Sequence, residues 1–181
     1  MVMNDLDVVK PQSKLIMYAD DVTILHAASN IQEDYINLET NNILSWVGSK
    51  GFLINFQKLK RMVISRNLDR EMPLPRVILG QNEIERCEEL KILGIIFQEN
   101  LKWDRHVDIV VRKSAIGLSY LRKLKTFTTD SSTLWRVYCQ LIFCHICYAY
   151  PAWCDLSIKN LNKLMTIENR AMRQNVVIPQ L

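Results

Sequence analysis

The chain has no disulfide framework, no uninterrupted apolar span, no internal repeat and no low-complexity tract, and each absence closes off a class of protein. Its five cysteines are an odd number, with no signal peptide at the amino end. That speaks against a stapled secreted domain and for an intracellular, reducing setting, nuclear or cytoplasmic, with no disulfide-linked partner. Cys139, Cys144, Cys147 and Cys154 gather around His145, but they fall in an apolar helical run rather than in paired spacings on loops. Buried free thiols are expected there instead of structural zinc. The run itself, Leu134 to Tyr150, is interrupted by Arg136, Gln140 and His145 and is short for a bilayer, so it reads as a buried helix.

With 49% hydrophobic and 23% charged residues over 181 positions, the chain is no disordered protein and can fill one core, or one and a half. Its net charge of +4 is small but unevenly spread: residues 1–50 carry −4, residues 51–100 carry +1 and residues 101–181 carry +7. An acidic beginning followed by a basic end suits a cation site beside a polyanion-holding surface; a solvated Lys-rich helix face has the same composition.

The acidic beginning contains Tyr18-Ala19-Asp20-Asp21 between two strand-forming runs, Lys14-Leu15-Ile16-Met17 and Val22-Thr23-Ile24-Leu25. Adjacent carboxylates repel unless one is protonated or a cation lies between them. A hard ion such as Mg²⁺ would answer that need in phosphoryl transfer. Taken alone, Asp20 and Asp21 read first as turn residues.

Ser29 with Gln32 forms a capping box ahead of acidic Glu33 and Asp34, which predicts a helix with an apolar stripe through Tyr35, Leu38, Ile43, Trp46 and Val47, ending at Gly48 or Gly51. Strands are then expected at Phe52–Asn55 and Arg61–Ser65, with Lys58, Lys60 and Arg61 between them. A loop with Pro73 and Pro75 leads to a hairpin around Gly80-Gln81-Asn82 and a further strand, Leu90–Phe97, whose internal Gly94 implies a bulge or a close approach. From Asp104 to about Lys125 the pattern is helical, with Arg112, Lys113, Arg122 and Lys123 roughly opposite the apolar side. Those cations can hold phosphates or simply face solvent. Asp130 or Ser131 should cap the buried helix that Pro151 ends. A last helix, Ser157 to about Asn175, carries Leu161, Leu164, Met165, Ile167 and Met172 as its apolar side.

In this order the motifs resemble those of reverse transcriptases of non-LTR (LINE-type) retrotransposons, from the late palm through the thumb. Asn4-Asp5-Leu6 is similar to the end of the helix after the template-positioning motif, and Tyr18-Ala19-Asp20-Asp21 looks like the catalytic Tyr-x-Asp-Asp. Trp46, Gly51-Phe52-Leu53-Ile54-Asn55, Lys58 and Lys60 resemble the following block. Leu90-Lys91-Ile92-Leu93-Gly94 resembles the primer-grip strand, and Leu101, Trp103 and His106 the opening of the thumb-like connection. Leu59 stands where Thr or Ser is frequent and Ile92 where Tyr is common.

The resemblance implies an α+β chain: residues 1–100 a partial polymerase palm of antiparallel strands with a packed helix, residues 101–181 a helical thumb-like region. It assigns Asp20 and Asp21 as catalytic Mg²⁺ (or Mn²⁺) ligands, Lys58 as general acid toward pyrophosphate, and Tyr18 and Gly94 to the nucleotide and primer. Lys60, Arg112, Lys113, Arg122 and Lys123 would hold nucleic acid. The implied partners are an RNA template, a DNA primer and a deoxynucleotide, with no membrane. The family's further palm Asp, its fingers and its Gln-Gly segment are absent from this chain. The expectation is therefore a fragment that binds the metal only if that Asp is supplied and is inactive alone. The alternative is a non-catalytic nucleic-acid-binding or interaction remnant.

Overall fold

A computed structural model describes residues 6–8, 11–19, 21–27, 33–64 and 76–174. The expected capping box at Ser29, the segment Asn4-Asp5, the loop with Pro73 and Pro75, and Asp20 lie outside them. The described residues form a mixed α+β chain in two compact units. One holds the residues up to Met62 together with 76–87; the other holds Val63, Ile64 and the chain from Glu88 onward. The division falls before the strand pair at 89–98, not at residue 100. Among the described residues no helix is long and apolar enough to cross a membrane.

The first unit opens with an antiparallel hairpin, β1 (Ser13–Tyr18) and β2 (Asp21–His26), in register from Ser13 opposite His26 to Tyr18 opposite Asp21. Helix α1 (Glu33–Ser49) follows. Gly51 takes φ +71°, its N–H donates to the Gly48 carbonyl and the Phe52 N–H to the Val47 carbonyl, a Schellman closure. The Phe52 ring then folds back on Trp46 at 5.8 Å. This is why the strand expected at Phe52–Asn55 does not form. The chain passes instead into a 3₁₀ turn, Phe56–Lys58, capped by Asn55.

The strand expected at Arg61–Ser65 is also missing over its described part, where only an isolated parallel bridge joins Arg61 to Arg86. The next hairpin is shorter than its pattern suggested, β3 (Ile78–Leu79) and β4 (Asn82–Glu83). Helix α1 holds it through side chains: Asn37 Oδ1 accepts from the Ile78 N–H at 3.0 Å and the Thr40 hydroxyl donates to the Ile78 carbonyl at 2.9 Å. Leu6, Val77 and Leu79 are the buried apolar residues described in this unit.

The second unit is better filled. Strands β5 (Glu89–Ile92) and β6 (Ile95–Gln98) make a hairpin, so the single bulged strand expected over Leu90–Phe97 is in fact two strands joined at Leu93-Gly94. Helix α2 (Asp104–Lys125) buries Val107, Val110, Leu118 and Leu121. Its cap is Trp103, without a side-chain bond, rather than Asp104, which is the first helical residue. The Leu101-x-Trp103-x-x-His106 pattern clamps hairpin to helix: the Trp103 ring meets Phe97 edge-on at 5.5 Å, and His106 Nδ1 accepts the Ile96 N–H at 3.3 Å.

The apolar run after Asp130 is not one helix. Helix α3 (Ser131–Tyr138) is capped by the Asp130 carboxylate, which accepts from the Ser132 and Thr133 N–H groups. It passes into a π-helical segment, Cys139–Phe143, then α4 (Cys144–Cys147). Ala149 reverses the chain at φ +48°, and Pro151 lies in the first turn of α5 (Tyr150–Trp153) instead of terminating the earlier helix. A proline lacks only an N–H that a first turn leaves unbonded in any case. The π segment lies where α2 offers two small residues: a Cβ on Gly117 would come within 2.2 Å of the Leu141 carbonyl oxygen, and Ser114 Oγ lies 3.5 Å from the Ile142 oxygen. Helix α6 (Ile158–Met172), capped by Ser157, completes the unit with Leu164, Ile167 and Ala171 buried.

His106 is 4% exposed, and its Nε2 has no partner among the described residues. Burial, and then the charge of Lys113, lower its pKa from the ordinary 6.5. Because the folded pKa is depressed, the unfolded chain binds more protons, and stability falls as pH drops below 6.5 toward the folded value. His145 is shifted the same way by the same causes. We predict that urea unfolding followed by tryptophan fluorescence loses at most about 1.4 kcal/mol per pH unit per histidine in this window. His106→Gln, which keeps an acceptor for Ile96, should flatten the slope and leave only the His145 share; an unchanged slope contradicts the assignment.

Candidate functional site

The register of β1 and β2 puts Tyr18 opposite Asp21, and Ala19, next to Tyr18, takes φ +53°. Alternation then sets Tyr18 and Asp21 on one face with Lys14, Ile16, Thr23 and Leu25. That face is open: Tyr18 is 63% and Ile16 47% exposed, and Asp21 and Leu25 are exposed as well. The other face is partly covered at Leu15, Ile24 and Ser13, with Ser13 Oγ 3.0 Å from His26 Nδ1. Tyr18 and Asp21 therefore stand exposed at the end of a two-stranded ribbon with one open face.

Two ordered blocks later, the lysines separate in role. Lys58 ends the 3₁₀ turn, exposed and without an ion pair among the described residues. Lys60 is paired with Glu85, a contact between partly exposed groups worth at most about 1 kcal/mol.

Gly94 has φ +86° beside Leu93 at φ +46°, so both turn residues are left-handed, the geometry of a tight hairpin. A Cβ on Gly94 would touch the Tyr148 ring at 3.4 Å, and the Tyr148 hydroxyl donates to the Leu93 carbonyl at 2.8 Å. The close approach expected at Gly94 is made by Tyr148 of the same unit.

On α2 all four predicted cations are exposed. At 100° per residue Arg112 and Lys123 lie directly opposite the buried side, while Lys113 and Arg122 flank it. Between them Ile116 is 53% and Tyr120 59% exposed. Neither residue was singled out from sequence, although the same projection finds both. An aromatic ring among cations can stack on a base while its neighbours meet phosphates.

No protein-family model, curated protein or solved structure matches this chain. The family resemblance therefore rests on the residues and their order. The carboxylate oxygens of Asp21 suit a hard divalent ion, but among the described residues no group of three His, Cys, Asp or Glu side chains converges. Among the described residues Asp21 alone of the pair is placed, and one carboxylate is part of a coordination shell.

Gly94→Ala and Tyr148→Phe should each lower stability by about 1 kcal/mol in urea unfolding without any nucleic acid, the first through left-handed strain and the second through the lost hydrogen bond. Unchanged midpoints would mean that Gly94 is not held by the fold's own packing.

Proposed function

We propose that this chain is part of an RNA-directed DNA polymerase of the non-LTR retrotransposon type: a partial palm followed by a thumb-like helical unit, incomplete as a catalyst. The observation that carries the reading is the pairing of Tyr18 with Asp21 at the end of an open hairpin, with Asp20 next to Asp21 in sequence. A palm needs such a ribbon to present carboxylates to a primer end. The order of the remaining blocks supports it: the Gly51 closure, the Lys58 turn, the Leu93-Gly94 hairpin and the basic helix α2.

In this reading Asp20 and Asp21 hold a divalent cation. When bound, it stabilises charge on the transferring phosphoryl group and lowers the pKa of the attacking hydroxyl. Tyr18, on the face of Asp21, packs against the nucleotide or primer end. Lys58, unpaired among the described residues, donates a proton to the leaving pyrophosphate. Arg112, Lys113, Arg122 and Lys123 meet phosphates with Tyr120 stacking among them. The further carboxylate that a two-ion mechanism requires has to come from outside the residues described.

Manganese supplies the test. Mn²⁺ titrated into the ¹⁵N-labelled chain at about millimolar concentration, as expected for an incomplete oxygen shell, should broaden the amide signals of Tyr18 to Val22. Asp20→Asn with Asp21→Asn should abolish the effect. Broadening that is absent, or unchanged in that variant, removes the metal-site reading and leaves α2 with the alternative, a remnant that holds nucleic acid without chemistry.

A further inference from the structure

Helix α6 has two apolar stripes, and only one of them is used by the core. Leu164, Ile167 and Ala171 are buried, whereas Ile158 is 80%, Leu161 43%, Met165 49% and Met172 40% exposed. The exposed set steps by three, four and seven residues, the spacing of a coiled-coil seam. It extends roughly 21 Å along the helix at 1.5 Å per residue. Beside it, Ile146, Cys147 and Tyr150 of α4 and α5 make the opposite wall of a groove of about 280 Å³ whose lining also includes Leu161, Met165 and Glu168. A linear seam of this length is shaped for a helix, not for a compact small molecule, and methionine lets its walls adapt.

Glu168 decides the chemistry of the occupant. It takes the seam position between Met165 and Met172, is half-buried, and forms no ion pair among the described residues; its one hydrogen bond there is from the Tyr138 hydroxyl at 3.4 Å. That carboxylate lines the groove. An arriving apolar helix would desolvate it at a cost unless a cation came with it. A second copy of α6 brings none, because Lys159, Arg170 and Arg173 project away from the seam and Lys163 is bonded to Asp108 at 2.5 Å.

We propose that the α4–α5–α6 groove docks an amphipathic helix from a partner protein, one that carries a Lys or Arg among its apolar anchors to meet Glu168. The site is separate from the proposed polymerase chemistry and stands whether or not that chemistry is present.

The test uses the full chain and two fluorescein-labelled helical peptides of about two and a half heptads, with Leu at the seam positions and either Lys or Glu at the central one. Fluorescence anisotropy should show the Lys peptide binding about tenfold more tightly. That preference should vanish in Glu168→Gln, which keeps an acceptor for Tyr138, and Met165→Ser should weaken both peptides. Equal binding of the two peptides, no binding, or binding undiminished in Met165→Ser would overturn the proposal. So would self-association of the chain that Met165→Ser abolishes, since a second copy would then be the occupant. If Met165→Ser loses helical circular dichroism, Leu161→Ser, on the same exposed seam, replaces it.

Discussion

The helical unit depends on one backbone-to-backbone approach, that of α2 at Gly117 to the Leu141 carbonyl. There is no room for a side chain there, since a Cβ would stand 2.2 Å from the oxygen and 3.0 Å from Ile142. Crowding of that kind costs about 1–3 kcal/mol, a large share of the stability of a domain. The approach coincides with the π segment, in which the Cys144 N–H bonds back to Cys139. Beyond that segment the Trp153 indole reaches the Tyr148 carbonyl at 3.0 Å and its ring meets His106 at 4.9 Å. Tyr148 in turn holds the Leu93-Gly94 turn, so the close approach, the kinked run and the β5–β6 hairpin make one connected packing arrangement.

What was legible in the sequence is what local chemistry decides. The ribbon around Tyr18-Ala19-Asp20-Asp21 follows from an apolar run and a β-branched run, α2 from its periodicity, and the starts of α3 and α6 from Asp130 and Ser157, whose side chains accept the first free N–H groups. Non-local packing hid the rest. Phe52 belongs to a strand by type, but Gly51 turns it back onto Trp46. Leu93 at φ +46° is no turn residue by propensity, and its conformation is held by Tyr148 from 55 residues away. Pro151 carries the same signal whether a helix ends before it or starts at it. Gly117 and Ser114 look like ordinary small residues until the π segment is laid against them.

The two units differ in how far their own residues complete them. The second encloses a continuous apolar cluster from Ile95 to Ala171. In the first, Ile16 and Leu25 on one face of the hairpin and Met17 and Val22 on the other stay exposed, and a two-stranded ribbon alone is marginal in water. In the proposed palm reading further strands lie beside the ribbon and make it part of a wider sheet.

The decisive measurement is RNA-templated primer extension by the purified chain with Mg²⁺ and deoxynucleotides. The proposed reading assigns the ions to Asp20 and Asp21 without a further palm carboxylate, and on it no extension above background is expected from this chain by itself. Extension that requires Mg²⁺ and disappears in Asp20→Asn would contradict that expectation and show a complete catalytic centre.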